Sequence, residues 1–120
     1  MLLNNKVTIV TGGASGIGEA TSRRFAQEGA AVVVADTRLG KAETVAADIN
    51  DNGGHAVAIE VDVAEADSVA ALVDSAVTEF GRLDVMFNNA GTLRPGTVLE
   101  LDVDDWDLVM AVNVRSVYLC

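Results

Sequence analysis

Short valine-rich runs alternate with longer segments of helical periodicity, and this alternation limits the chain to very few folds. Residues 6–11 (KVTIVT), 31–35 (AVVVA), 56–61 (AVAIEV) and 84–88 (DVMFN) are brief and rich in β-branched side chains, which favours strands. Between them, residues 16–28, 39–51 and 65–80 carry apolar side chains every three or four positions. In the last of these, Val69, Leu72, Val73, Ala76, Val77 and Phe80 make one helical face. Parallel neighbours in a sheet require a crossover, and a helix of this length supplies it. The expectation is one doubly wound α/β domain, built on a parallel sheet of about four strands with about four helices.

Punctuation falls where this scheme needs it. Gly29, Gly53 with Gly54, and Gly81 each follow a helical segment, at the position where a helix tends to end in a left-handed residue. A fourth helical segment starts at Asp102, with acids in its first turns as the helix dipole favours, and runs to Cys120 without a stop signal. The sheet is therefore expected to be incomplete at the C-terminal side, with the fourth strand as an edge.

Composition removes several functional classes. The formal net charge of −10 opposes nucleic-acid binding, and only Arg23 and Arg24 are adjacent among the eight basic residues. Cys120 and His55 are the only residues of their types, so neither a disulfide framework nor a usual zinc site is expected, and no metal is assigned. No apolar run reaches the roughly 18 residues of a membrane span, and the first residues lack the pattern of a secretory leader. A cytoplasmic protein with no membrane partner is the expectation.

Chemistry concentrates after the first strand. Thr11-Gly12-Gly13-Ala14-Ser15-Gly16-Ile17-Gly18 stands between a strand and a helix. Missing side chains let backbone approach a pyrophosphate there, and the helix offers free N–H groups and its positive end. The spacing, Gly-x-x-x-Gly-x-Gly, is neither Gly-x-Gly-x-x-Gly nor a P-loop. Taken alone, such glycines are as well explained by a tight turn. Asp36 ends the second strand, eighteen residues beyond Gly18, near the spacing of an acid that accepts hydrogen bonds from an adenosine ribose. A carboxylate there would repel the additional phosphate of NADP, although Arg38 stands close by; capping of the next helix is the competing role for Asp36.

With these features in place, the sequence resembles the short-chain dehydrogenase/reductase family over its whole length. The glycine loop is similar to that family's own, and Asn88-Asn89-Ala90-Gly91 after the fourth strand resembles its second hallmark. The resemblance implies a Rossmann-like domain, an NAD cofactor, and cofactor contacts from Gly12, Ser15, Gly16, Ile17, Gly18, Asp36, Asp62, Val63, Asn89, Ala90 and Gly91. Asp62-Val63 looks like the family's adenine-contacting pair, while Asp62 followed by Glu65 also reads as a helix capping box. Asn113 sits in the fourth helical segment, where asparagine fits poorly because its side chain competes for backbone hydrogen bonds. It resembles the family's catalytic asparagine, which distorts the helix and helps hold a water in a proton relay. Trp106, Met110 and Val114 are spaced as one face of that helix and are read as core or contact residues. The corresponding helix in the family often packs against another subunit, so the complete protein is expected to be a homodimer or tetramer acting on a small alcohol or ketone.

The family's serine and Tyr-x-x-x-Lys pair have no match here. Tyr118 is the only tyrosine, and both lysines, Lys6 and Lys41, precede it. Residues 1–120 are thus expected to form a single NAD(P)-binding domain that ends before the catalytic region. Such a chain would bind cofactor without turning it over, because hydride transfer to or from an alcohol carbon also requires a proton to move on the oxygen. The alternatives are a non-catalytic dinucleotide-binding or interaction module complete at this length, and another doubly wound protein such as a methyltransferase or flavodoxin-like domain.

Overall fold

The computed structural model describes residues 1–120. Four strands are present: β1 (Val7–Thr11), β2 (Ala31–Asp36), β3 (His55–Glu60) and β4 (Val85–Phe87). The helices are α1 (Gly16–Gln27), α2 (Leu39–Asp51), α3 (Ala66–Phe80), α4 (Val103–Met110) and the short α5 (Ser116–Leu119), with a π-helical turn at Ala111–Arg115 joining the last two. All pairings are parallel and the strand order is β3-β2-β1-β4, the first four places of the Rossmann arrangement. The chain reverses its direction of travel across the sheet between β1 and β4, and ligands of open α/β sheets bind beyond the strand ends at such a switch point.

Alternation along the strands divides the core in two. Val10, Val32 and Val34 point to the face covered by Ala42, Val45 and Ile49 of α2, whereas Ile9, Val33 and Ala35 meet Val69, Leu72 and Ala76 of α3. Central strands covered on both faces need side chains that are apolar at nearly every position, which is why residues 31–35 read as an unbroken run. The two polar residues of β1 are satisfied within the fold: the hydroxyl of Thr8 donates to the Ala31 carbonyl at 3.2 Å, and that of Thr11 to the Phe87 carbonyl at 3.3 Å.

Several sequence expectations change in detail. β4 is only three residues long and pairs with β1 alone, an edge strand as expected. The helix after it runs without a break from 103 to 119 as expected, but Ala111–Arg115 widens into a π turn around Asn113. Trp106 and Val114 are not core within this chain, being 53% and 54% exposed. The capping box at Asp62 is not formed. Glu65 is the N-cap of α3, and the Asp62 carboxylate accepts from the Ala64 N–H at 3.0 Å in a local turn instead.

Candidate functional site

Every strand delivers its C-terminal end to the same side of the sheet, and the loops that follow surround an open cavity of about 430 Å³. Its walls come from Gly12 and Ser15 after β1, from Asp36, Thr37 and Arg38 after β2, and from Val61, Asp62 and Val63 after β3. The loop after β4 adds Asn89, Ala90, Gly91 and Thr92, and the last helical segment adds Val112.

The glycine loop is shaped by contact with the rest of this site. Gly18, buried in the first turn of α1, lies against Gly12: a Cβ on Gly18 would stand 2.0 Å from the Gly12 carbonyl oxygen and 2.6 Å from Nδ2 of Asn89. Gly12 has a φ of +63°, a conformation that favours glycine, and its own Cβ would press on the Ala90 backbone at 3.1 Å. Asn89 and Thr11 hold the two loops in this register. Nδ2 of Asn89 donates to the Thr11 carbonyl at 3.0 Å and to that of Gly12 at 3.3 Å, while the Thr11 hydroxyl oxygen accepts from both the Asn89 and the Ala90 N–H groups at 3.1 Å. The loop backbone thus stays bare, and the first N–H groups of α1, at Gly16, Ile17 and Gly18, lack carbonyl partners one turn back, as at any helix start.

Asp36 is 4% exposed and links β2 to the glycine loop. One carboxylate oxygen accepts from the Ala14 N–H at 3.2 Å, and the other from the Arg38 N–H at 3.0 Å and from Nε of Arg38 at 3.2 Å. Burial pushes the Asp36 carboxyl up, but the Arg38 side chain and the two backbone N–H groups outweigh it and hold the group below its ordinary range. It does not cap α2, whose N-cap position is Arg38 and which has no side-chain cap. The Arg38 guanidinium continues across the cavity to Ser15, its Nη2 donating to the hydroxyl oxygen at 2.8 Å.

Of the residues singled out in the sequence, the fold gathers Gly12, Ser15, Asp36, Asp62, Val63, Asn89, Ala90 and Gly91 around the cavity. Gly16 and Gly18 shape the loop without lining it, and Ile17 is 73% exposed at its outer edge. Asn113 lies beside the cavity in the π turn, a kind of distortion that is often found at functional sites. Its Oδ1 accepts from the Thr92 N–H at 2.7 Å and its Nδ2 donates to the Thr92 carbonyl at 2.9 Å, so it grips the backbone that follows Gly91. Thr37, Thr92 and Val112 line the cavity and were not singled out, nor was the Thr11 hydroxyl. No signal within the sequence marks Thr11 among strand residues, since its partners lie 78 and 79 positions away.

These features define a class: a doubly wound, Rossmann-like α/β domain with a glycine-lined cavity at its switch point. Comparison with known proteins narrows it. The short chain dehydrogenase family matches residues 6–120, and the chain belongs to that family. It is 48% identical over 116 residues to the cis-4-hydroxycyclohexanecarboxylate dehydrogenase of Sinomonas cyclohexanicum, covering 96% of this chain and 46% of that protein. It is 39% identical over 120 residues to the meso-2,3-butanediol dehydrogenase of Serratia marcescens, covering all of this chain and 47% of the relative. Among solved structures, a double mutant of a Serratia marcescens short-chain dehydrogenase/reductase superposes with a TM-score of 0.95 at 44% identity, over 99% of this chain and 49% of that one. The chain spans about half the length of these relatives.

Proposed function

We propose that this domain binds NAD(H), and that it serves a dehydrogenase that moves hydride between the nicotinamide and a small alcohol or ketone. The observation that carries this reading is Asp36: a buried carboxylate bonded to the glycine loop and standing at the wall of the cavity. The residues present fit the cofactor. The turn at Gly12 and the start of α1 suit a pyrophosphate, since the Gly16, Ile17 and Gly18 N–H groups have no carbonyl partner, whereas those of Gly13 and Ala14 are taken by Ala35 and Asp36. Asp36 suits the hydroxyls of a ribose, because an ionised carboxylate only accepts, and its charge opposes a 2′-phosphate. Asp62 and Val63 suit the adenine, with one Asp62 oxygen taken up by Ala64 and the other left for an amine donor. Asn89, Ala90 and Gly91 present backbone to the opposite end of the cavity, next to Asn113.

The bound cofactor would supply the hydride acceptor or donor. The chain's own residues orient it: Thr11 and Asn89 hold the two loops in register, and Asn113 sets the backbone at Thr92 beside the cavity. Acid–base groups of the Tyr-x-x-x-Lys type are not among these 120 residues, so turnover is proposed for a protein in which this domain is combined with them, acting as a cytoplasmic homodimer or tetramer. No helix is long and apolar enough to cross a membrane.

Titration with NADH, followed by nicotinamide fluorescence, tests the cofactor reading, with NADPH and S-adenosylmethionine as competitors. NADH should bind, NADPH should compete weakly, and S-adenosylmethionine should not compete. Asp36→Ala should narrow the gap between NADH and NADPH. Tighter binding of NADPH by the unaltered chain would overturn the assignment to NAD, and binding of S-adenosylmethionine alone would overturn the dehydrogenase reading.

A further inference from the structure

The helical segment after α4 touches two loops that belong to opposite edges of the sheet. Asn113 holds Thr92, which follows β4, and Arg115 reaches the loop after β3, where its Nη1 donates to the Ala64 carbonyl at 2.7 Å. β3 and β4 are the outermost strands, with β2 and β1 between them. Residues two apart on a helix point in nearly opposite directions, so one short segment can grip both sides of the cavity.

The Arg115 bond falls on a backbone group that is already organised. The Ala64 N–H donates to Asp62, the Asp62 N–H donates to the Ser68 hydroxyl at 2.9 Å, and Val63 between them is buried at the cavity wall. Holding the Ala64 carbonyl therefore fixes the turn that presents Asp62 and Val63. No carboxylate lies within ion-pair distance of Arg115, so the Ala64 carbonyl is its one fixed partner.

We propose that Arg115 is a positioning residue that couples the two ends of the cavity: occupation of the Asp62–Val63 end tightens the π turn and, through Asn113, the backbone at Thr92. This rests on the nucleotide-binding reading above. Coupling of this kind is reciprocal, so ordering of the Thr92 backbone strengthens binding at the Asp62–Val63 end by the same factor by which that binding favours the ordering.

The test uses AMP, which carries only the adenosine half, and follows amide hydrogen exchange in the unaltered chain, in Arg115→Met, which keeps an apolar stem without a donor, and in Arg115→Lys, which restores one. In the unaltered chain AMP should slow exchange at Ala64 and also at Thr92. Arg115→Met should bind AMP about three- to tenfold more weakly, the effect of one lost hydrogen bond. At saturating AMP it should still protect Ala64 but no longer Thr92, and Arg115→Lys should recover most of both effects. Protection of Thr92 by AMP in Arg115→Met equal to that in the unaltered chain would overturn the coupling while leaving nucleotide binding in place. Should neither AMP nor NADH bind the unaltered chain, the nucleotide reading itself fails, and the coupling with it.

Discussion

Replacing Gly18 with alanine tests the packing of the glycine loop most directly. The added Cβ would lie 2.0 Å from the Gly12 carbonyl oxygen and 2.7 Å from its carbon, both backbone atoms, so no side-chain rotation can relieve the contact. The loop must move by about an ångström to restore ordinary carbon–oxygen contact, and forced repacking of this kind costs about 1–3 kcal/mol. That shift also pulls Gly12 and Thr11 away from Asn89, whose Nδ2 bonds of 3.3 and 3.0 Å are worth about 1 kcal/mol each. Alanine in place of glycine inside a helix returns about 0.5–1 kcal/mol. The net loss is then about 2–4 kcal/mol, measured by urea unfolding followed by far-ultraviolet circular dichroism. Gly40→Ala is the control: it lies in α2 with nothing within 4 Å of the added Cβ and should gain a few tenths to about 1 kcal/mol. If Gly18→Ala lost less than about 1 kcal/mol, the loop would be yielding and the argument from close approach would be wrong.

Thr11→Val keeps the shape of the side chain but strips the acceptor from the Ala90 N–H and one of two acceptors from the Asn89 N–H, so it should cost about 1–3 kcal/mol in the same unfolding assay. The folded carboxyl of Asp36 is held below its unfolded value, so its contribution is present above pH of about 4 and is lost as pH falls through the folded value. Asp36→Asn should accordingly flatten the acid limb of the urea midpoint plotted against pH; an unchanged limb would mean that this carboxylate does not contribute. Asn113→Asp keeps the acceptor for the Thr92 N–H and loses the donor to the Thr92 carbonyl, whereas Asn113→Leu loses both. Exchange of the Thr92 amide should stay slow in the first and quicken in the second, with a stability cost of about 1 kcal/mol in the first and about 2 kcal/mol in the second.

Local rules account for what could be read from the order of residues. Alternation of valine runs with helical periodicity sets strand, helix and parallel pairing, because side-chain direction repeats every two or 3.6 residues whatever the rest of the chain does. Gly29, Gly53 and Gly81 mark helix ends for an equally local reason, and each has positive φ. Asn113 stood out in the sequence because its side chain sits badly in a helix, and the helix does widen around it.

Tertiary structure decided the rest, because the deciding partners are far apart in the chain. Asp62 and Glu65 had the spacing of a capping box, yet Glu65 is the N-cap of α3, and the loop before it is held at the Ala64 carbonyl by Arg115 from the far end of the chain. Thr11 is one strand threonine among others until β4 lies beside β1 and brings two N–H groups to its hydroxyl. The reach of Arg115 across 51 positions and of Arg38 to Ser15 across 23 could not be foreseen from spacing. Residues 6–11 and 31–35 could be recognised as strands from their own composition, but the cavity exists only where all four strand ends meet, and that meeting is a property of the folded sheet.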